Sequence, residues 1–306
     1  MGGTQFIAGD WGTTHLRLFL CDADGTALDH RSGPGAVESA GRFATVLASQ
    51  TAAWEAQHGP LPAVLCGMVG SSLGWVQAPY VPCPARPEQI AAACTAIDDG
   101  RIHIVPGLSC HNRFGAPDLL RGEETQLLGA LSLLQPRQLI CLPGTHTKWV
   151  VLEEGQVRDF FTAPTGELFA VLRDHSVLVR PPQGSDAALD TEAFNKGLAS
   201  VAAQPDVQIL HRLFECRSRP LSGDLPPTAA AAYLSGLLIA SDVHGALRAL
   251  SNTFVPSSVV LIGTPQLTQL YASACATLGL HTNQVDGASA SLAGLAHIYR
   301  RLSNGG

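Results

Sequence analysis

Two stretches of this chain follow one plan, and that repetition narrows the fold more than any other feature. In QFIAGDWGTTHLRLFLCDADGTALDHRSG (5–33) an apolar strand ends at Ala8 and a polar loop GDWGTTH follows. A second strand, LRLFL, alternates leucines with Arg17 and Phe19; the turn DADG and a third strand, TALDHR, complete the unit. In QLICLPGTHTKWVVLEEGQVRDFFTAPTG (138–166) the order recurs: a strand ending at Leu142, the loop PGTHTK, strand WVVLE, turn EEG and strand VRDFFTA. Two meanders, each with a Gly-Thr loop between its first two strands, indicate a duplicated architecture in which each half supplies one loop. Because the element after each loop is a strand, the loops are not of the Rossmann or P-loop type, which need a helix there to aim amides at phosphate.

The rest of the chain supplies helices and further strands. Apolar AVLCGMV (63–69) and RIHIVPG (101–107) read as strands, PEQIAAACTAI as a helix, and RGEETQLLGALSLL as a helix with Glu123 and Glu124 in its first turn, where carboxylates suit the macrodipole. Later come helical ELFAVLRDHSVLV and AAAAYLSGLLIASDVHGALRAL, buried strand SSVVLIG (257–263), helix QLTQLYASACATLG, strand LHTNQV and a last helix SASLAGLAHIYRRL; RPPQGSDAALD (180–190) reads as a surface loop. With 306 residues, 46% apolar and only 14% charged against an average near ~25%, the chain has material for a large core and none of the signature of disorder.

Charge and cysteines exclude several roles. A net charge of −6 argues against a nucleic-acid groove or a polybasic membrane face. The 8 cysteines are scattered without a CxxC pair, as expected of small buried hydrophobes in a reducing compartment, and the 11 histidines form no HxxxH or HExxH pattern. The start MGGTQFIAGD has no secretory n-region, and the longest apolar run, Ala229 to Ala240, is shorter than the ~20 residues that span a bilayer. A cytoplasmic protein is expected.

Three loops carry chemistry. Asp10 at a strand end, followed by Gly12, Thr13 and Thr14, has the makings of a hydrated Mg²⁺ site lined by hydroxyls, though a decorated β-turn uses the same residues. Gly144, Thr145, His146 and Thr147 lead into Lys148, one of only two lysines, which could offset the charge of a transferring phosphoryl group or sit exposed on a hairpin. Gly263 and Thr264, between a buried strand and a helix, would let a flat ring approach the backbone, as would many strand–helix turns.

The ordered set DWGTTHLR (10–17), GTHTKW (144–149) and VVLIGTP (259–265) resembles the phosphate-1, phosphate-2 and adenosine motifs of the actin/hexokinase superfamily of sugar kinases. With CGMVGSSLGWVQAPYVPCPA (66–85), RGEETQLLGAL (121–131) and TGELFAVLRDHSVL (165–178), the chain resembles more narrowly the family of 2-dehydro-3-deoxygalactonokinases, over most of its length. The resemblance implies an α/β fold of two ribonuclease-H-like domains, mixed sheets flanked by helices, with an interdomain cleft. Residues 1–120 plus 285–306 would form the N-terminal domain and 121–284 the C-terminal one. It also implies ATP and Mg²⁺ as cofactors, with Arg17 part of the nucleotide-binding set, and phosphorylation of the C6 hydroxyl of 2-dehydro-3-deoxy-D-galactonate. A small sugar acid is then the partner rather than nucleic acid or membrane, and a homodimer is a candidate assembly.

Related kinases place an acidic base at the start of a helix, which puts Glu124 first and Glu123 as its rival. Each could equally be a solvated helix-start acid. The carboxylate of a 2-oxo acid needs a cation or amide donors; Arg121 and the turn Gly70-Ser71 offer them, and Trp75 and Tyr80 could wall the sugar or simply pack. Other readings are a kinase for another sugar or 2-keto-3-deoxy sugar acid, and a nucleotide-binding relative without catalysis. A serine hydrolase using Ser72 in GSSLG (70–74) is a third, against which stand four prolines in the 14 residues where the required helix would run.

Overall fold

Leu16, Leu18 and Leu20 are buried and His15 and Arg17 exposed along one strand, the period-2 signature of a sheet with a core beneath it. The computed structural model describes residues 5–179, 190–251 and 253–304; the loop expected at 180–190 lies, apart from Asp190, outside the described residues. The first elements are β1 (Phe6–Trp11), β2 (His15–Cys21), β3 (Ala27–Pro34), α1 (Phe43–His58), β4 (Ala63–Gly67) and β5 (Tyr80–Pro82). They continue with α2 (Pro87–Ala92), β6 (Thr95–Ile97), β7 (Ile102–Ile104), β8 (Gly107–His111), β9 (Pro117–Leu120) and α3 (Glu123–Ala130). Then follow β10 (Arg137–Leu142), β11 (Thr147–Glu153), β12 (Gln156–Ala163), α4 (Thr165–His175), α5 (Thr191–Ala203) and α6 (Glu215–Ser222). The last are α7 (Ala230–Leu250), β13 (Ser258–Gly263), α8 (Pro265–Ala276), β14 (His281–Asp286) and α9 (Gly287–Asn304).

Among the described residues the largest sheet has the order β3-β2-β1-β4-β7-β6, with β1 antiparallel to β2 and parallel to β4. A second sheet, β12-β11-β10-β13-β14, repeats the arrangement of meander plus parallel neighbour, β10 running parallel to β13. A small third sheet is ordered β5-β8-β9.

The chain divides into two units: residues 1–137, 151–160 and 285–306 in the first, and 138–150 and 161–284 in the second. The boundary expected at 120/121 therefore falls after Arg137, and the reason is α3. Gly129 and Gly294 let α3 and α9 approach so closely that a Cβ at either would lie 1.9 Å from a backbone oxygen of the other helix. Residues 151–160 join this unit through a bridge between Ala85 and Val157 and an ion pair of Arg113 with Asp159 at 2.8 Å.

Alternation along the strands sorts the two faces of the first sheet. Ile7, Trp11 and Leu65 pack with Phe43, Leu47 and Trp54 of α1. Phe6 stacks on Tyr299 of α9 with ring centroids 4.0 Å apart, so the face that carries Phe6 and Ala8 carries Asp10 too. In the second unit α7 is the one described helix long and apolar enough to cross a membrane, but most of it is buried: Tyr233, Leu234, Leu237 and Val243 are core residues. The helix expected over 87–97 stops at Ala92, and Thr95–Ile97 instead becomes the edge strand β6, antiparallel to β7. The strand expected over 101–107 ends at Ile104, and Gly107 opens β8.

Candidate active site

In the first unit, β1 and α3 bring acidic groups together at the carboxyl ends of parallel strands, the place where open α/β sheets bind ligands. Asp10 lies next to Cys66 of β4 and opposite Arg17 of β2. The Arg17 guanidinium stands 3.2 Å from the Asp10 carboxylate, which is 18% exposed. Burial pushes the Asp10 carboxyl up, and Arg17 opposes that rise. After Asp10 the loop turns on a Gly12 N–H bond to His15 O at 2.9 Å, leaving Thr13 and Thr14 exposed. Segment 35–37 braces it from outside, with amides donating to the carbonyls of Gly12, Thr13 and Thr14.

Helix α3 delivers the glutamates to the same face. The Cys66 thiol feels the charges of both Asp10 and Glu124 and is hydrogen-bonded with Thr125, so these groups form one cluster. Glu124 is 0% exposed; its carboxylate accepts from the Gly122 N–H at 2.6 Å and the Thr125 hydroxyl at 3.0 Å. Burial, reinforced by the neighbouring Glu123 charge, pushes the Glu124 carboxyl up to about 8. Glu123 is only half-buried and accepts from the Arg121 N–H at 3.1 Å.

Arg121 lies over the Tyr80 ring, 4.3 Å from its centroid, and donates to Ala78 O at 2.8 Å, tying the 70–80 segment to the start of α3. Its Nε and Nη1 are buried without a hydrogen-bond partner, and a Cβ at buried Gly70 would lie 2.8 Å from Nη1. Ser71 is half-buried and its hydroxyl accepts from the Leu73 N–H. Trp75 is half-buried and stacks on Phe43, centroids 6.4 Å apart, against the α1 core. No helix follows Ser72, which sits in a turn closed by Gly74 N–H to Ser71 O, so the nucleophile-elbow reading fails on geometry.

In the second unit, the loop at 144–146 and the turn at Gly263-Thr264 leave the same end of parallel strands β10 and β13; a Cβ at Gly263 would meet Pro143 at 3.5 Å. Thr145 and His146 are exposed, and Thr264 is exposed just before Pro265 opens α8. Helix α4 grips the loop: the Glu167 N–H donates to Thr145 O at 2.9 Å, and His146 Nε2 lies 2.8 Å from the Glu167 carboxylate.

For this loop one alternative falls and one expectation changes. Lys148 is 5% exposed rather than a solvated hairpin residue, and its Nζ donates to His146 O at 3.3 Å. Thr147 is 0% exposed and its hydroxyl is hydrogen-bonded with Tyr271 at 2.8 Å, so it faces the interior instead of a ligand. Behind it lies a residue the sequence reading passed over. Asp242, a lone carboxylate in the apolar run LLIASDVHGAL of α7, accepts from Trp149 Nε1 at 2.8 Å, Thr165 Oγ1 at 2.6 Å and Tyr271 Oη at 2.7 Å. Its break in an otherwise apolar helix was the signal available.

No group of three His, Cys, Asp or Glu among the described residues could hold a metal unaided. Asp10 alone beside exposed Thr13 and Thr14 fits the sparser demand of Mg²⁺, which keeps several waters and takes one or two carboxylates along with substrate phosphates.

Two mixed sheets, each with a glycine-bearing loop at its meander, define the class: an α/β chain of the actin/hexokinase type. The same fold is found in the activator of 2-hydroxyisocaproyl-CoA dehydratase from Clostridium difficile, solved with bound ADPNP (TM-score 0.52, 12% identity, 98% of this chain and 95% of that one). A model of the 2-keto-3-deoxy-galactonokinase family matches residues 10–298. The 2-dehydro-3-deoxygalactonokinase of Escherichia coli K12 is 36% identical over 303 residues, 98% of this chain and 99% of that protein. The crystal structure of a Sinorhizobium meliloti protein named as a 2-dehydro-3-deoxygalactonokinase superposes with a TM-score of 0.89 at 37% identity, covering 97% and 99% of the two chains. The chain belongs to the 2-keto-3-deoxy-galactonokinase family, a family of sugar-acid kinases.

Proposed function

We propose that this protein transfers the γ-phosphoryl group of ATP to the C6 hydroxyl of 2-dehydro-3-deoxy-D-galactonate, in the cytoplasm. The observation that carries this reading is the end-to-end likeness to the E. coli kinase; the geometry of the two units supplies roles for the residues. In the reaction the sugar hydroxyl oxygen attacks the γ-phosphorus, the bond from that phosphorus to the ADP oxygen breaks, and the hydroxyl proton passes to a carboxylate.

Burial favours Glu123 as that carboxylate. It is the member of the pair with surface to offer a substrate, whereas Glu124 is enclosed and held protonated at neutral pH. Asp10 would hold Mg²⁺ through water, a charge that neutralises phosphate oxygens when bound. Gly12, Thr13, Thr14 and Arg17 would line the phosphates from the first unit's loop. Within the second unit, Gly144, Thr145, His146 and Lys148 are assigned to phosphate and Gly263 and Thr264 to adenosine. Arg121, with two N–H groups lacking a protein partner, is assigned to the substrate carboxylate, and Gly70, Ser71 and Tyr80 to its surroundings.

The test is ADP release measured with ATP and a panel of 2-keto-3-deoxy sugar acids, followed by NMR of the product. Release that depends on the galactonate-derived acid, with phosphorus coupled to the C6 protons, is expected. Release without any sugar acid would reduce the protein to an ATPase. A preference for another acid or position would move the substrate assignment.

A further inference from the structure

Buried polar groups need partners, and a carboxylate that collects three donors in an apolar helix is placed there for what those donors do. Around Asp242 the donors come from three different elements. Trp149 is on β11, Thr165 is the first residue of α4, and Tyr271 is on α8. Both carboxylate oxygens are used, Oδ1 by the indole and Oδ2 by the two hydroxyls. Since Tyr271 has one proton and gives it to Asp242, its oxygen must accept from Thr147. The chain thus runs in one direction, from Thr147 through Tyr271 to Asp242.

The ends of this network fall on either side of one loop. Thr147 is the residue with which β11 leaves the Gly144-Thr145-His146 loop, and Thr165 begins the helix that clasps that loop. The clasp is tight: a Cβ at Gly166 would lie 2.4 Å from Gly144 O, and the next residue, Glu167, donates its amide to Thr145 O. Fixing Thr147 and Thr165 to a single carboxylate therefore fixes the loop's exit strand relative to its clasp.

We propose that Asp242 is a positioning residue for phosphoryl transfer: through Thr147 and Thr165 it holds the 144–148 loop in the conformation that receives the nucleotide's phosphates. The proposal rests on the reading of that loop as phosphate-binding. Asp242 itself touches no substrate. Its effect is exerted on placement, where a misalignment of about 1 Å costs on the order of 100-fold in rate.

The test uses Asp242→Asn, which keeps the shape but turns an NH2 group either on the Trp149 N–H or on the two hydroxyls that donate to Oδ2, a donor facing donors in both orientations. It should raise the KM for ATP and lower kcat, together on the order of 10-fold to 100-fold in kcat/KM, while the dissociation constant of the sugar acid stays within about twofold. Thr165→Val should move the same parameters and Thr165→Ser, which retains the hydroxyl, should restore them. Val243→Ala, a neighbouring core truncation outside the network, controls for lost stability: at an equal drop in Tm it should leave the KM for ATP unmoved.

Wild-type ATP kinetics in folded Asp242→Asn, or an equal loss in Val243→Ala, overturns the proposal. Should Asp242→Asn fail to fold, the Thr165 pair decides: indistinguishable Val and Ser variants overturn it as well. Thr145→Val, on the exposed loop, separates the underlying reading. If Thr145→Val leaves ATP kinetics intact, the loop does not bind phosphate and the proposal falls with that reading. If Thr145→Val impairs them and the Asp242 and Thr165 variants do not, only the positioning role is lost.

Discussion

Each unit of this protein encloses a carboxylate that burial pushes up, and the two differ in what surrounds them. Glu124 has two hydrogen-bond donors, with Glu123 adding like charge, and its carboxyl rises to about 8. Asp242 is pushed up by burial as well; its three donors pull the other way, as the donors to Glu124 do, but it lacks the added push that Glu123 gives Glu124. Burial alone therefore does not decide what a carboxylate is for; the balance of donors and like charges around it does. The first arrangement stores a proton next to the acidic cluster with Asp10, and the second organises neighbouring backbone.

The widest gap should appear between the two glutamates of α3. Glu123→Gln is expected to lower kcat by roughly 10²–10⁴ with little change in ATP binding, the range for removing a general base. Glu124→Gln should cost far less, because its amide can accept from the Gly122 N–H and donate to the Thr125 oxygen. Steady-state kinetics of the two variants measure this. Equal losses would mean that the enclosed carboxylate is itself the base and that the structure must open to use it.

Next in size is Asp10→Asn, expected to reduce kcat by about 10²-fold, the scale of losing one preorganised electrostatic contact. Sugar-acid affinity by calorimetry should be unchanged. Wild-type turnover would remove the metal from Asp10 and leave its pairing with Arg17 as structural. Lys148→Ala should lower kcat/KM for ATP by about 10-fold, the order of one charge-assisted hydrogen bond. An unchanged value would mean that the buried ammonium serves the loop's structure, as in its bond to His146 O, and not the phosphates.

Much of this was legible in the sequence, for identifiable reasons. The two meanders announce themselves through strict alternation, as in Leu16, Leu18 and Leu20, and through Gly-Thr loops at equivalent points. The acidic start of α3 was visible from composition alone. What the sequence hid was orientation: Thr147 looks as available as Thr145 in GTHTK, yet one faces Tyr271 and the other solvent, because Thr147 already belongs to β11. Trp75 is open to either wall or packing in the sequence, since an aromatic in a Gly-Pro loop gives no hint of Phe43 beneath it, more than 30 residues away. The unit boundary was missed because the decisive contact pairs Gly129 with residues of a helix that starts at Gly287.

The variant with the smallest expected effect on turnover also gives the cleanest reading of a buried carboxylate, because it is read from stability. Glu124 has a folded-state pKa of about 8 against an ordinary value of 4.5. Between those values the native state holds a proton that the unfolded chain has released. The stability this contributes is complete below about 4.5 and is lost progressively as pH rises through about 8, where the buried group must ionise. Glu124→Gln cannot ionise, so its Tm should gain on that of the wild type as pH goes from 5 to 9, by on the order of 10 °C, given about 1.4 kcal/mol per pH unit up to about 8 and roughly 2–4 °C per kcal/mol for chains of this order of size. Thermal unfolding of both proteins across that range checks the sign: a difference that stays flat would show that Glu124 is already ionised, and that the donors from Gly122 and Thr125 suffice to hold its charge.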